Sequence, residues 1–251
     1  MAVAESAVPP RAQLVSSGLC VGLLGGFHLS SAEGPLPASG GSQRLLAFLA
    51  LRNRHLARTV VAGNLWPDTS DARAHASLRS ALARLQGLGR GAILTTFADI
   101  GLADGVEVDL HSARATAQRL VSPAGLPAAC DMDEAAITSL SADLLPDWYD
   151  DWVVVETEEW RQLRLHALEA LAGHLVEAGR FGDAARAALA AVRVEPLRES
   201  AHAALIRVHL AEGNQSEALR AFEAYRALLK AELGLEPTPR LRQLVQDLQL
   251  R

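Results

Sequence analysis

The residues best placed to do chemistry lie between Ala72 and Leu85, and the chemistry they suggest is recognition. Arg73, Ser77, Ser80 and Arg84 recur three and four residues apart, with Arg79 on the flank. On a helix that spacing places them on one face, opposite an apolar stripe of Ala74, Leu78, Ala81, Leu82 and Leu85. Guanidinium groups are planar forks that grip phosphate or the guanine edge with two hydrogen bonds. Between the basic edges stand only alanines and serines, so such a face enters a DNA major groove without obstruction. An ordinary amphipathic surface helix would show the same stripe, and the neighbouring elements must decide between the two.

Catalytic constellations are missing. Gly25-Gly26 and Gly40-Gly41 lack the Gly-Lys-Ser/Thr of a phosphate-binding loop, and there is no HExxH and no GxSxG. His202 and His209 are seven apart on one expected helix, but no carboxylate or cysteine stands at ligand spacing. Structural histidines are the better reading. Cys20 and Cys130 make neither a disulfide framework nor a zinc site. The expectation is a protein with no enzymatic activity, no metal and no cofactor, in a reducing cytoplasm.

Charge is segregated along the chain. The net charge is −5, yet residues 40–95 carry eight arginines against Asp68 and Asp71. Residues 96–160 carry fourteen acidic groups against Arg114 and Arg119. Lys230 is the only lysine, so the basic stretch is all arginine, the residue suited to phosphate and guanine. Hydrophobic residues make up 49%, enough for a sizeable core, while aromatics at 4% favour helix over a large β-sandwich. No apolar run approaches the length of a membrane helix; the run from Leu19 to Leu29 is broken by three glycines.

The elements that must position the basic face follow a recognisable order. Residues 1–17 read as a disordered tail. Leu19–Leu24 reads as a strand, followed by a turn at Gly25-Gly26 and a second short strand. After loop signals at Gly34-Pro35-Leu36-Pro37, Ser42 is expected to N-cap a helix carrying Leu45, Phe48 and Leu49. Thr59 is expected to cap a short helix, Val60 to Trp66, ended by Pro67. The third helix runs Ala72–Leu85 and is ended by Gly87, Gly89 and Gly91. Ala92–Thr96 and Val106–Leu110 read as a hairpin. Strands, three helices and a hairpin are the order of a winged helix, in which the third helix reads the groove. Arg44, Arg52, Arg54 and Arg58, around the first two helices, are then candidate phosphate ligands.

From Asp109 a helix is expected to about Val121, then a loop over Ser122–Pro127. Residues 131–160 are acidic and hold three of the four tryptophans, Trp148, Trp152 and Trp160. This stretch is either an activation surface or an interdomain joint with packed indoles, and the joint is favoured. Beyond Trp160 the sequence repeats at an offset of 34. Ala167 returns as Ala201, Leu171 as Leu205, Gly179 as Gly213, Ala184 as Ala218 and Arg186 as Arg220. That is the tetratricopeptide (TPR) period, a binding or spacing scaffold. Leu241–Leu250 reads as a capping helix. The fold class is mostly α with small β: an N-terminal winged helix-turn-helix, followed by an all-α TPR-like helical repeat domain.

LCVGLLGGFHLS, SQRLLAFLALRNRHLARTVVAGNLWPD and ARAHASLRSALARLQ resemble the DNA-binding half of the Streptomyces antibiotic regulatory protein (SARP) family, an OmpR-type winged helix. The later half, from DLLPDWYDDW through VEPLRESAH and LKAELGLEPTP, resembles the family's bacterial transcriptional activator domain. The resemblance covers roughly residues 18 to 250. It implies an activator, often of a secondary-metabolite gene cluster, that binds direct repeats in double-stranded DNA and recruits RNA polymerase, with a homodimer on DNA. It implies a DNA-binding domain at 18–108 and an activator domain at 109–251, with no membrane partner; the chain departs from larger relatives in showing no visible seat for regulation by ATP or a kinase. The hairpin departs from the family pattern. It carries Asp99, Asp104, Glu107 and Asp109 and no arginine after Arg90, so wing contacts are expected to be weak or absent. The competing reading is a TPR-type protein-interaction module whose winged helix has little DNA affinity.

Overall fold

The structure, a computed structural model, describes residues 18–88, 91–122 and 127–249. The expected 1–17 tail and Gly89 lie outside them, as do four residues of the expected loop after Val121. The chain divides into two compact units. The first holds residues 18–22 and 27–108, and the second holds residues 23–26 and everything described from 109 onward.

The first unit runs β1 (Cys20–Gly22), β2 (His28–Ser31), β3 (Gly34–Pro35), α1 (Gly40–Arg52), β4 (Leu56–Ala57), α2 (Arg58–Leu65), α3 (Asp71–Leu88), β5 (Ile93–Thr95), β6 (Asp99–Leu102) and β7 (Glu107–Val108). One sheet has the order β3-β2-β1-β7, antiparallel except for the parallel pair β1 and β7. The other has the order β4-β6-β5 and is antiparallel throughout. The three helices bury one another: α3 packs on both α1 and α2. In α1 the buried set is wider than the expected stripe, running without a break from Leu45 to Leu51, because the helix is enclosed rather than half-exposed.

Several local expectations are corrected. β1 stops at Gly22 because the next two N–H groups bond elsewhere: Leu23 and Leu24 donate to the Asp109 carboxylate at 2.9 and 3.0 Å. Gly34-Pro35 is a third strand rather than a loop, pairing with Ser30 and Ser31. Ser42 does not cap α1. The helix begins at Gly40 after Ser39, and Ser42 is buried, with its hydroxyl donating to the Ala81 carbonyl at 3.3 Å. Thr59 does not cap α2, which starts at Arg58 straight out of β4. The Arg58 N–H is already held by the Ala98 carbonyl at 2.9 Å. Nor does Gly87 end α3, which continues through it to Leu88; one glycine costs only about 1 kcal/mol in a helix interior.

The hairpin also has a different second strand. β5 pairs with β6, not with residues 106–110. Thr96 and Asp99 close the turn: the Asp99 N–H donates to the Thr96 hydroxyl oxygen at 2.9 Å, and the Thr96 N–H to the Asp99 carbonyl at 2.9 Å. Gly101, expected in the hairpin loop, lies inside β6. A Cβ there would sit 2.8 Å from the His55 ring, so the strand needs glycine for the ring to lie over it.

The second unit is helical: α4 (Asp109–Val121), a 3-10 turn (Ala129–Met132), α5 (Glu134–Ser141), α6 (Asp151–Glu177), α7 (Phe181–Val194), α8 (Glu199–Glu212), α9 (Gln215–Leu233) and α10 (Pro239–Gln249). The 34-residue offset superposes α6–α7 on α8–α9. Gly179 and Gly213 both sit in the left-handed region, at φ 72° and 88°, where glycine carries no penalty. Ala167 and Ala201, and Ala184 and Ala218, are fully buried where paired helices approach. No helix among the described residues is long and apolar enough to cross a membrane.

His202 is one of the structural histidines. It is buried, its Nε2–H donates to the Pro196 carbonyl at 2.9 Å, and its ring stacks on Tyr225 at 4.2 Å. Burial pushes its pKa below the usual 6.5, with the Pro196 bond opposing. A depressed histidine contributes stability that is present above the ordinary histidine range and is lost as pH falls through the lowered value. Thermal melts from pH 7.5 down to pH 5 should therefore fall more steeply for the native chain than for His202→Gln, which still donates to Pro196 but does not titrate. Parallel curves would refute the assignment.

Candidate nucleic-acid interface

α3 presents the expected two faces. Ala74, Leu78, Ala81, Leu82 and Leu85 are buried. Arg73, Ala76, Arg79, Ser80, Ala83 and Arg84 are exposed, and Ser77 is half-buried. Hydrophobic burial of the leucine side fixes the rotation of the helix, and so fixes which residues face outward. Arg73 and Arg79 make no hydrogen bond or ion pair among the described residues, while Arg84 makes one long contact to the Ser39 hydroxyl at 3.5 Å.

Many arginines of the second unit are paired. Arg114 bonds Glu156 at 2.8 Å, and Arg119 grips the buried Asp131 carboxylate with bonds of 2.6 to 3.1 Å. Asp131 is held below the ordinary carboxylate range, chiefly by that hydrogen bond. Arg161 bonds Glu158 and Glu195, Arg164 bonds Asp143, Arg186 bonds Glu134 and Arg198 bonds Glu169. Glu158, beside Arg161, is lowered to about 2. Internal carboxylates thus neutralise these cations, whereas Arg193, Arg207, Arg240 and Arg242 of the same unit, like Arg73 and Arg79 of α3, have no ion pair among the described residues.

The four candidate phosphate ligands occupy different settings. Arg44 is half-buried on α1, and Arg52 lies over the Phe48 ring at 5.3 Å. Arg54 is exposed in the turn after α1. Arg58 is not simply a helix residue. It opens α2 beside the hairpin turn, and its guanidinium donates to the Thr96 carbonyl at 3.4 Å. At that turn stands Phe97, fully exposed, a residue that none of the sequence motifs singles out. Its signal is a lone aromatic within the turn of TTFAD.

The three tryptophans all lie in the second unit. Trp148 and Trp152 meet edge to face, with centroids 6.1 Å apart. Trp160 is a buried core residue, its indole N–H donating to the Ala142 carbonyl at 3.0 Å. Within the expected group, Trp148 and Trp152 are thus in ring contact, and Trp148 and Trp160 line one cavity. A cavity of about 410 Å³ runs between Trp148 and Trp160.

A winged helix-turn-helix ahead of a TPR-like helical repeat is the build of a modular gene regulator. The chain matches the bacterial transcriptional activator domain over residues 104–249. It is 30% identical over 253 residues to the regulatory protein AfsR of Streptomyces coelicolor, a match spanning 94% of this chain and 25% of that protein. The corresponding figures for AfsR of Streptomyces griseus are 29% over 228 residues, 84% and 22%. The chain thus spans about a quarter of the length of these relatives. Its fold is similar to that of Mycobacterium tuberculosis EmbR, solved in complex with a low-affinity phosphopeptide, at TM-score 0.69 and 25% identity over 93% of this chain and 65% of that one. The chain belongs to the bacterial transcriptional activator domain family and, within it, to the SARP class of transcriptional regulators. That class is one of regulators, not of enzymes.

Proposed function

We propose that the chain is a sequence-specific DNA-binding activator. Residues 18–108 would read double-stranded DNA, and residues 109–251 would recruit RNA polymerase. The observation that carries this is the exposed arginine face of α3, whose guanidiniums have no carboxylate partner among the described residues, in the basic unit of the chain. Arg73, Ser77, Arg79, Ser80 and Arg84 lie nearest the bases in this reading, and Arg44, Arg52, Arg54 and Arg58 serve the phosphates. Two copies occupy direct repeats head to tail, with Trp148, Trp152 and Trp160 serving as the joint that transmits binding to activation. A secondary-metabolite gene cluster is the target that fits the family.

A footprint on the DNA flanking its own gene, repeated over a salt series, tests this. Log affinity should fall with log salt by about 0.9 per neutralised phosphate. Arg58→Ala should reduce that slope by about one contact and leave the preferred sequence unchanged. No protected sequence at any salt would favour the protein-interaction reading, to which the acidic Asp99 and Glu107 near the hairpin otherwise lend support.

A further inference from the structure

We propose that Phe97 is an apolar wedge, which the hairpin β5–β6 inserts at a base step of the DNA minor groove beside the major groove read by α3. The inference rests on the DNA-binding reading above. It replaces the expectation that the wing makes weak contacts or none.

Three observations converge on it. First, Phe97 is fully exposed at the hairpin turn. A whole aromatic ring in water forgoes the burial that normally places phenylalanine inside. Second, the turn that carries it is stiff. Thr96 and Asp99 exchange two hydrogen bonds at 2.9 Å. The Arg58 N–H holds the Ala98 carbonyl at 2.9 Å, and β4 pairs with β6 from Leu56 to Ala57. The residues on both sides of Phe97 are thus bonded to the body of the unit, and little order remains to be gained on binding.

Third, the charge is arranged around the ring rather than on its strands. Residues 91–108 contain no lysine or arginine, so the hairpin has no cation of its own for a narrow groove. Arg58 supplies one from the start of α2, its guanidinium 3.4 Å from the Thr96 carbonyl. A cation beside an exposed apolar tip matches the two needs of a minor-groove wedge: phosphate attraction, and an apolar side chain that unstacks a base step and bends the duplex toward the major groove.

The test uses the full chain and a duplex enriched from a random-sequence library by the native protein. Affinity is read by fluorescence anisotropy, bending by energy transfer between end dyes, and unstacking by 2-aminopurine placed at successive positions. Phe97→Ala should bind about tenfold more weakly, lose the bend and lose the 2-aminopurine brightening at a step outside the α3 footprint. Phe97→Leu, still an apolar wedge, should keep most of all three. Both variants should melt like the native chain, since the ring is fully exposed. If Phe97→Ala binds and bends DNA as the native chain does, the wedge is wrong, even though an effect of Arg84→Ala would leave the DNA reading intact. Weaker binding with bend and brightening unchanged would also overturn it, by making Phe97 an outside contact. If no duplex is enriched at all, the DNA-binding reading fails and the wedge fails with it.

Discussion

An Arg73→Ala/Arg84→Ala chain is expected to fold normally and to lose about 30- to 25,000-fold in affinity for its enriched duplex, if each guanidinium reads a base at 1–3 kcal/mol. Both side chains are exposed, and neither belongs to the leucine stripe that holds α3 on α1 and α2. Among the described residues the double variant gives up only the long approach of Arg84 to Ser39 at 3.5 Å, too weak to matter for stability. Circular dichroism and the melting midpoint should therefore stay at the native values while binding collapses. The pattern of loss is informative. A fall confined to the enriched duplex assigns the pair to base readout. An equal fall on scrambled DNA assigns them to phosphate. Unchanged binding in a folded variant would remove α3 as the reading element.

The same helix shows what sequence can and cannot carry. Its two faces are legible because burial of Leu78, Leu82 and Leu85 depends only on the 3.6-residue period, which the residue types display directly. The 34-residue repeat is legible for a related reason: small residues and turn glycines recur wherever the same helix pair is built twice. Sequence and structure part where long-range hydrogen bonds override local signals. Ser42 and Thr59 are good capping types, yet Ser42 is claimed by the Ala81 carbonyl, and Thr59 lies one residue inside a helix launched from a sheet. Glycines and aspartates suggest one wing, but the true turn is set by Thr96 and Asp99, and Gly101 is required by the His55 ring from a distant stretch of chain. Nothing local to residues 92–110 contains that ring. The position of Arg58 at the hairpin turn is hidden for the same reason, since it depends on β4 pairing with β6.

Trp160→Ala is expected to be the most destabilising substitution in the helical unit, costing about 3–5 kcal/mol, a large share of the stability of an ordinary domain. The indole is 1% exposed, and its N–H satisfies the Ala142 carbonyl at 3.0 Å. Truncation would therefore leave both a cavity and an unpaired acceptor. Trp160→Phe should cost less, keeping most of the volume and losing only the hydrogen bond. Trp148→Ala with Trp152→Ala should behave differently. Trp148 is half-buried and pairs edge to face with Trp152, an arrangement worth about 0.5–1.5 kcal/mol beyond its area. If that pair belongs to the joint proposed above, the double variant keeps binding to one half-site but loses cooperative binding to a direct repeat and loses transcription in a reconstituted polymerase assay. Denaturant unfolding of the three variants, read beside those two assays, separates core pillar from joint. A Trp160→Ala chain that unfolds at the native midpoint would show that the indole is not a core element, whereas a Trp148/Trp152 variant with full cooperativity and full transcription would show that the pair transmits nothing.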